Sequence, residues 1–338
     1  MAVAEELSAG TASRVLGSPG ARLAGRRLLA AIPVLLGVTF LTYVVMNLLP
    51  GDAAQELLGA NATPAEVHQL EIQLHLNESF WVRYGNWLGG LLHGNLGTSL
   101  SGGEPVTTIL GQRLPVTAEL LLYAFVASIV FAVGLAVLAA RWPNGLADRF
   151  SMVVSMTGLS VAPYVLALVL IYVFAVKIQV FPAIGYVPLT QSPVANIRSL
   201  TLPAAAIAFP LFSVYTRLLR ADIVEQMQRE DYIVTARAKG VRPWRILIRH
   251  ALRNSLFGLI TLIGLNLGAL VGAVAIIEPI FSLPGVGAIL ISSITNHDVP
   301  VVEGIVVVFA VVVILANLLT DLAYAALDPR IRYERAAA

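Results

Sequence analysis

The residue types of a metal site occur together in one short stretch. Thr63 and Glu66 have the spacing of a capping box and predict the start of a helix. On that helix His68, Glu71 and His75 share one face. Two imidazoles and a carboxylate can bind a divalent ion such as zinc. A solvated helix face has the same composition, however, and we therefore predict no metal site here.

The rest of the sequence lacks the residues of known catalytic centres. There is no cysteine, which excludes disulfides, thiolate metal sites and thiol catalysis. No Gly-x-x-x-x-Gly-Lys-Ser/Thr phosphate loop occurs, and the only lysines are Lys177 and Lys239. The acids Glu119, Glu278 and Asp321 lie in or beside different apolar runs, so they form no catalytic pair. We predict a non-enzymatic chain without a cofactor of its own.

The composition indicates a membrane protein. Hydrophobic residues make up 57% of the chain and charged residues only 12%, whereas roughly a quarter of the residues are charged in soluble domains. Six uncharged runs approach or exceed the length of about 20 residues that a helix needs to cross a bilayer. They are residues 28–49, 120–140, 150–176, 199–216, 254–277 and 304–320. Because irregular backbone cannot face lipid, we predict an all-α protein with six transmembrane helices, the third kinked at Pro163.

Basic residues are distributed unequally between the two sides. Eighteen of the 22 lysines and arginines lie on the side that holds both termini, which is therefore predicted to be cytoplasmic. The predicted plan has a disordered tail over 1–24, a transmembrane helix over 25–49 and an extracytoplasmic region over 50–113. A core of five transmembrane helices follows over 114–327, and a cytoplasmic tail over 328–338 ends the chain. The core contains a basic cytoplasmic segment, residues 217–253.

Two helices are predicted near the end of that basic segment. Asp231 caps a helix over 232–239, and Gly240 supplies the left-handed residue that ends it. Pro243 suits the first turn of a second helix. One face of that second helix is predicted to be apolar (Trp244, Leu247, Ile248, Ala251) and another basic (Arg242, Arg245, Arg249, Arg253, with Ile246 among them). The pattern is typical of a docking element at a membrane surface, or of a loop whose arginines meet lipid headgroups.

Several short motifs resemble one transporter family. They are Thr-Ala-Arg-Ala-Lys-Gly at 235–240, His-Ala-Leu-Arg-Asn at 250–254, Pro-Gly-Asp at 50–52, Phe-Ser-Leu-Pro-Gly at 281–285 and Asp-Pro-Arg at 328–330. Together they resemble permease subunits of ATP-binding-cassette (ABC) importers, in the dipeptide, oligopeptide and nickel transporter branch. The broader family has Glu-Ala-Ala where this chain has Val234, Thr235 and Ala236, and that departure is typical of the peptide branch.

The resemblance implies a type I ABC importer permease in the cytoplasmic membrane of a prokaryote. Its implied partners are a homologous second permease, two cytoplasmic ATPases, an extracytoplasmic binding protein and membrane lipid, with no nucleic acid. ATP and Mg would be bound by the ATPases. The helix that couples the permease to an ATPase would use Tyr232, Thr235, Ala236, Arg237, Ala238, Lys239 and Gly240.

A second set of residues is predicted to form an outer gate. Glu278 and Pro279 end the fifth span, and Phe281 folds over the mouth of the pathway, held by a turn at Pro284 and Gly285. An ordinary surface loop is the alternative. Asn266 and Asn317 are the deepest polar groups of the pathway. Glu119 and Asp321 are predicted to be buried against polar or basic partners, Asp321 with Arg217 or Arg220.

The sequence indicates the class of protein more clearly than it indicates the transported substrate. Peptide is the first choice, because most members of the resembled branch transport peptides, and nickel, glutathione or another small solute is the alternative. An ion-coupled secondary carrier is a further alternative. It would place paired carboxylates or broken helices near the middle of the bilayer.

Overall fold

A computed structural model describes residues 19–48, 53–59, 62–74 and 77–327. Within these ranges the chain is helical, and its one β-type pairing is the bridge between Thr98 and Pro105. The helices are α1 (Pro19–Leu48), α2 (Ala53–Leu58), α3 (Pro64–Gln73), α4 (Phe80–Leu92), α5 (Val106–Arg141), α6 (Leu146–Ser160), α7 (Pro163–Lys177), α8 (Pro193–Arg229), α9 (Asp231–Ala238), α10 (Pro243–Ile280), α11 (Val286–Thr295) and α12 (Val299–Leu327). This confirms the all-α prediction.

The start of α1 corrects the prediction of a disordered tail over 1–24. The helix begins at Pro19, where a missing N–H is tolerated in the first turn. Ala21, Leu23 and Ala24 follow and favour helix. Residues 1–18, the Pro-Gly-Asp motif and the predicted C-terminal tail lie outside the described residues.

Five helices, α1, α5, α8, α10 and α12, are long and apolar enough to cross a membrane. The third predicted span is instead the pair α6 and α7, which meet at 109°. Pro163 is the cause, because its ring disfavours the helical conformation for Ala162, whose φ and ψ are −67° and 141°. The predicted kink is therefore a break between two helices, and the pair counts as a sixth span only if it crosses in bent form.

Helix α8 lies at the centre of the bundle and packs against α5, α6, α7 and α10. Small side chains allow these helices to approach closely. The core between them is rich in alanine, with Ala124, Ala132, Ala136, Ala204, Ala206 and Ala208 all buried. At Gly158 of α6, an added Cβ would lie 1.9 Å from the Ser213 Oγ atom of α8. Replacing that glycine would therefore force the two helices apart.

Three glycines lie four residues apart on α10, at 264, 268 and 272, and one of them packs against another helix of this chain. A Cβ at Gly264 of α10 would lie 2.7 Å from Thr320 of α12. Gly268 and Gly272 have no described atom within 4 Å of such a Cβ. The first contact brings α10 and α12 together, and the other two glycines leave the surface of α10 open.

The region predicted to be extracytoplasmic, called the outer region below, is attached to α1. Thr63 and Glu66 cap α3 reciprocally, which confirms the predicted helix start. Phe80 and Tyr84 of α4 pack against Phe40 and Tyr43 of α1, with ring centroids 4.9–6.1 Å apart. Arg83 also donates a 2.6 Å hydrogen bond to Asn47. These aromatic contacts and the Arg83 bond thus hold α4 on the first helix.

Candidate functional site

The site on the side predicted to be cytoplasmic, called the inner site below, is built around α9, a helix of 8 residues between two long ones. Helix α8 runs well past the predicted fourth span, to Arg229. Glu230 is extended and is the residue before α9, so Asp231 is the first helical residue and not the predicted cap. Gly240 has a φ of +72°, which confirms the predicted left-handed end. Pro243 begins α10 as predicted.

One side of α9 is buried against the chain itself and the other is free. Ile233 and Ala236 are 1% and 9% exposed and belong to the main hydrophobic core. Residues three apart on a helix face the same way, so Ala236 faces inward with Ile233 and not toward the exposed side of α9. Its contact with an ATPase stays a prediction. Val234 is 59% exposed on the opposite side of α9 and was not among the predicted coupling residues. The exposed predicted residues are Thr235, Arg237, Ala238, Lys239 and Gly240.

Side-chain hydrogen bonds fix α9 between its neighbours. The Tyr232 hydroxyl donates to the Gln226 Oε1 atom and accepts a 3.0 Å bond from the Asn254 Nδ2 atom. Arg237 donates through its Nη2 atom to the Met227 carbonyl at 2.9 Å. Burial raises the pKa of Tyr232, so the hydroxyl stays protonated and remains a donor at neutral pH. The helix is thus held by polar bonds at both of its ends.

The first turns of α10 differ from the predicted amphipathic helix. Ile246, Leu247 and Ala251 are buried, whereas Trp244 and Ile248 are 53% and 38% exposed. Residues Leu247–Leu252 form a π-helical stretch within α10. The predicted faces assumed 3.6 residues per turn, and a π-helical turn contains more, so the side chains from Leu247 onward shift relative to Trp244, which precedes the stretch.

The site on the side predicted to be extracytoplasmic, called the outer site below, centres on the Glu278 carboxylate, which is fully buried. It accepts a 2.6 Å bond from the Thr117 hydroxyl of α5 and bonds of 2.7 and 3.1 Å from the backbone N–H groups of Gly287 and Ala288. Thr117 in turn accepts a 2.8 Å bond from the Val286 N–H. A carboxylate suits the positive end of a helix. Glu278 therefore joins α5, α10 and the first turn of α11.

The chain reverses at Ser282, not at Pro284 and Gly285 as predicted. Helix α10 runs through Pro279 to Ile280, because a proline so near the end removes only one helical bond. The Leu283 and Ser282 N–H groups bond back to the Glu278 and Pro279 carbonyls at 2.9 and 3.1 Å. With Ser282 at a φ of +51°, this is a Schellman-type end. Gly285 instead precedes α11 and leaves room for Glu278, whose Oε1 atom would be 2.1 Å from an added Cβ.

Phe281 packs inside the chain, contrary to the prediction that it folds over an open mouth. Its side chain is 1% exposed and belongs to the main core. Its carbonyl accepts a 3.0 Å bond from the Gly185 N–H, in the loop between α7 and α8. The apolar residues of this segment are covered by the same chain, because the reversal folds Phe281 back onto it. Its role as a gate stays a prediction.

Glu119 and Asp321 both have polar partners, as predicted, but both are half-buried and not buried, and one partner differs. Glu119 accepts 2.9 Å bonds from the Tyr186 hydroxyl and the Asn196 amide. Burial and the bond to Glu119 raise the pKa of Tyr186 to about 12. Asp321 pairs with Arg27 at 2.9 Å, not with Arg217 or Arg220. The reason is that α1 packs along α12, which a single sequence does not reveal.

Arg220 forms a different ion pair, with an acid that sequence reasoning missed. Its guanidinium binds both oxygens of Asp148 at 2.8 Å, and Asp148 is fully buried at the start of α6.

Glu303 of α12 is also buried, at 1% exposure, and was missed because it directly precedes the sixth uncharged run. Asp298 accepts bonds from Ser99, Leu100 and Ser101 and ties the outer region to α12.

The other residues named in the sequence analysis, those of the pathway and of the histidine-rich helix face, do not come together in one site. Asn266 donates to the Leu262 carbonyl at 2.8 Å, and Asn317 is exposed on α12. In the part of the chain that the structure describes, neither is hydrogen-bonded to the cluster around Glu278. His68 lies 3.2 Å from Glu71, and His75 lies outside the described residues. Among described residues no group of three metal ligands occurs.

Comparisons with known proteins agree on one family. Residues 132–333 match the family described as binding-protein-dependent transport system inner membrane component. Residues 21–121 match the corresponding N-terminal family of membrane components. A putative peptide transport system permease protein of Brucella abortus (strain 2308) is 38% identical over 309 residues, 91% of this chain and 98% of that protein.

Two further relatives carry more specific names. A dipeptide transport system permease protein of Alkalihalophilus pseudofirmus is 35% identical over 328 residues. A glutathione transport system permease protein of Pectobacterium atrosepticum is 35% identical over 315 residues. Each comparison covers 91% of this chain and 98% of the relative. The similarity therefore extends over both the inner and the outer site.

Proposed function

This chain belongs to the family of binding-protein-dependent transport system inner membrane components, and on that basis we propose that it forms half of an import pathway for peptides. One observation supports the proposal above the others. Helix α9 is separated from both long helices beside it and turns Val234, Thr235 and Ala238 outward. A short exposed helix that is braced by the chain behind it is suited to receive force from another subunit.

We propose that α9 docks on a cytoplasmic ABC ATPase. Val234 and Ala238 are one turn apart and offer a small apolar surface. Arg237 and Lys239 beside them can pair with acids of the partner. ATP and Mg would be bound by two such ATPases, and a homologous second permease would complete the pathway. Docking on a cytoplasmic ATPase requires that α9 and both termini lie in the cytoplasm of a prokaryote. The distribution of arginines agrees with this orientation.

The cargo proposed here is a di- or oligopeptide delivered by an extracytoplasmic binding protein. It rests on the names of the relatives, of which several transport peptides. Glutathione is a second candidate, because the glutathione permease of Pectobacterium atrosepticum is 35% identical to this chain, as the dipeptide permease is, over the same share of the chain. Glutathione is itself a small peptide, so both candidates have the same chemical class.

Reconstitution of the complete transporter in liposomes tests this function. We expect uptake of a labelled di- or tripeptide that requires ATP, the ATPases and the loaded binding protein together. Competition by unlabelled glutathione distinguishes the two cargo candidates. Uptake that persists without ATP and collapses with the proton gradient would instead identify a secondary carrier and contradict the proposal.

A further inference from the structure

We propose that the Tyr232 hydroxyl is the joint through which movement of α9 reaches α8 and α10 together. The proposal rests on the proposed contact between α9 and an ATPase. It concerns a positioning residue, because the hydroxyl binds only groups of its own chain. Gln226 belongs to the inner end of α8 and Asn254 to the inner part of α10, and the hydroxyl binds both.

The backbone on either side of α9 explains why such a joint is needed. Glu230, with a φ of −86° and a ψ of 126°, interrupts the helix before α9. Gly240, with a φ of +72°, interrupts it afterwards. Neither long helix is therefore continuous with α9. Side-chain contacts must fix the direction of α9 relative to them.

The other contacts of α9 do not join all three helices through one atom. Ile233 and Ala236 pack into the core, but apolar packing has no directional preference. Arg237 reaches the Met227 carbonyl and so binds α8. The Tyr232 hydroxyl uses its one O–H for α8 and an oxygen lone pair for α10. A shift of α9 thus changes both bonds at once.

The substitution Tyr232→Phe tests the joint, because it removes the hydroxyl and keeps the ring. In the complete reconstituted transporter we expect the number of peptides transported per ATP to fall roughly five- to thirtyfold, the ratio given by the loss of one to two hydrogen bonds of about 1 kcal/mol each. Binding of the ATPase, measured by co-purification, should stay at the wild-type level.

Asn254→Ala provides a second variant that leaves the tyrosine in place. Because both changes break the same link, the double variant should transport as many peptides per ATP as Tyr232→Phe alone. Tyr164→Phe is the matched control, since Tyr164 is 49% exposed on α7, away from α9. That control should transport like the wild type.

Two results would overturn the inference. One is an unchanged ratio in Tyr232→Phe, and the other is loss of ATPase binding in that variant, which would place the hydroxyl in docking. Both require a wild-type transporter that couples uptake to ATP. If the wild type itself shows no such uptake, the proposed function fails, and that outcome is separate from any effect of Tyr232.

Discussion

At the scale of single residues, Gly240 decides where α9 ends. Its φ of +72° is accessible to glycine and is costly for a β-branched residue, while no described atom lies within 4 Å of an added Cβ. The effect of a substitution is therefore conformational and not steric against neighbours. Gly240→Val should lower the number of peptides transported per ATP roughly five- to thirtyfold, since a left-handed residue costs about 1–2 kcal/mol.

Gly240→Asn is the control for that prediction, because asparagine enters the left-handed region more readily than valine. We expect it to retain most of the transport. Reconstituted transport measured with co-purification of the ATPase distinguishes uncoupling from failed assembly. A Gly240→Val variant that transports like the wild type would contradict the role given to this turn.

The ion pair between Asp148 and Arg220 is predicted to stabilise the inner end of the bundle. Asp148 is fully buried and Arg220 is 23% exposed in its side chain. Breaking such a pair leaves an unpaired charge, so Asp148→Asn should lower the free energy of unfolding by roughly 3 kcal/mol. Thermal unfolding of the purified permease in detergent measures the loss.

Glu225→Gln is the matched control for Asp148→Asn. Glu225 pairs with Arg229 at 3.2 Å, but both side chains are more than half exposed, at 61% and 77%. Exposed pairs contribute less than about 1 kcal/mol. If both substitutions lower the unfolding temperature equally, burial of Asp148 has no special importance.

At the scale of elements, the position of α11 depends on Gly287. A Cβ there would lie 2.6 Å from the Val274 carbonyl oxygen and 2.7 Å from the Ala275 Cα atom of α10, and backbone cannot move aside as a flexible side chain can. Gly287→Ala should therefore displace α11, at a cost of about 1–3 kcal/mol.

Labelling of a cysteine placed at Ser293 measures that displacement. Ser293 lies on α11 and is 5% exposed, and the chain has no other cysteine. Gly287→Ala should raise the labelling rate roughly 5- to 150-fold, as expected for local opening by about 1–3 kcal/mol. Gly134→Ala is the control, because no described atom lies within 4 Å of its added Cβ. Equal rates in both variants would show that Gly287 does not fix α11.

Local signals in the sequence predicted where helices begin and end. They did not predict which helices pack against each other. The capping box at Thr63 and Glu66, the left-handed Gly240 and the first-turn Pro243 all act within one turn of the chain, and all three predictions were confirmed. The partner of Asp321 depends on α1 packing along α12, almost 300 residues away in sequence, and no local pattern contains that information.

The burial of Ala236 and the burial of Phe281 have a related cause. Both residues belong to motifs that resemble those of a family, and motif similarity alone does not tell which side of an element faces the chain itself. Ala236 faces the core because it shares a helix face with Ile233. Phe281 is buried because the reversal at Ser282 returns the chain to the bundle. Only the packing of several helices settles which residues remain free for partners.

At the scale of the whole molecule, the orientation in the membrane is open to a direct test. Glu104 is exposed in the outer region and Gln228 is exposed near the end of α8. In a chain without native cysteines, a membrane-impermeant maleimide should label Glu104→Cys in intact cells and Gln228→Cys only after permeabilisation. The distribution of arginines is the reason for this expectation. The opposite labelling would place α9 outside and remove it from contact with any ATPase.

The π-helical stretch Leu247–Leu252 also affects how the chain tolerates changes of length. A π-bulge accommodates an extra residue within an α-helix. Deleting Ile248 would let this stretch close into ordinary α-helix, with Trp244 before it and Leu259 after it keeping their directions. Deleting a residue from the regular part of α10 would instead turn everything on one side by about 100°. Natural gain or loss of a single residue in α10 is therefore expected at this stretch.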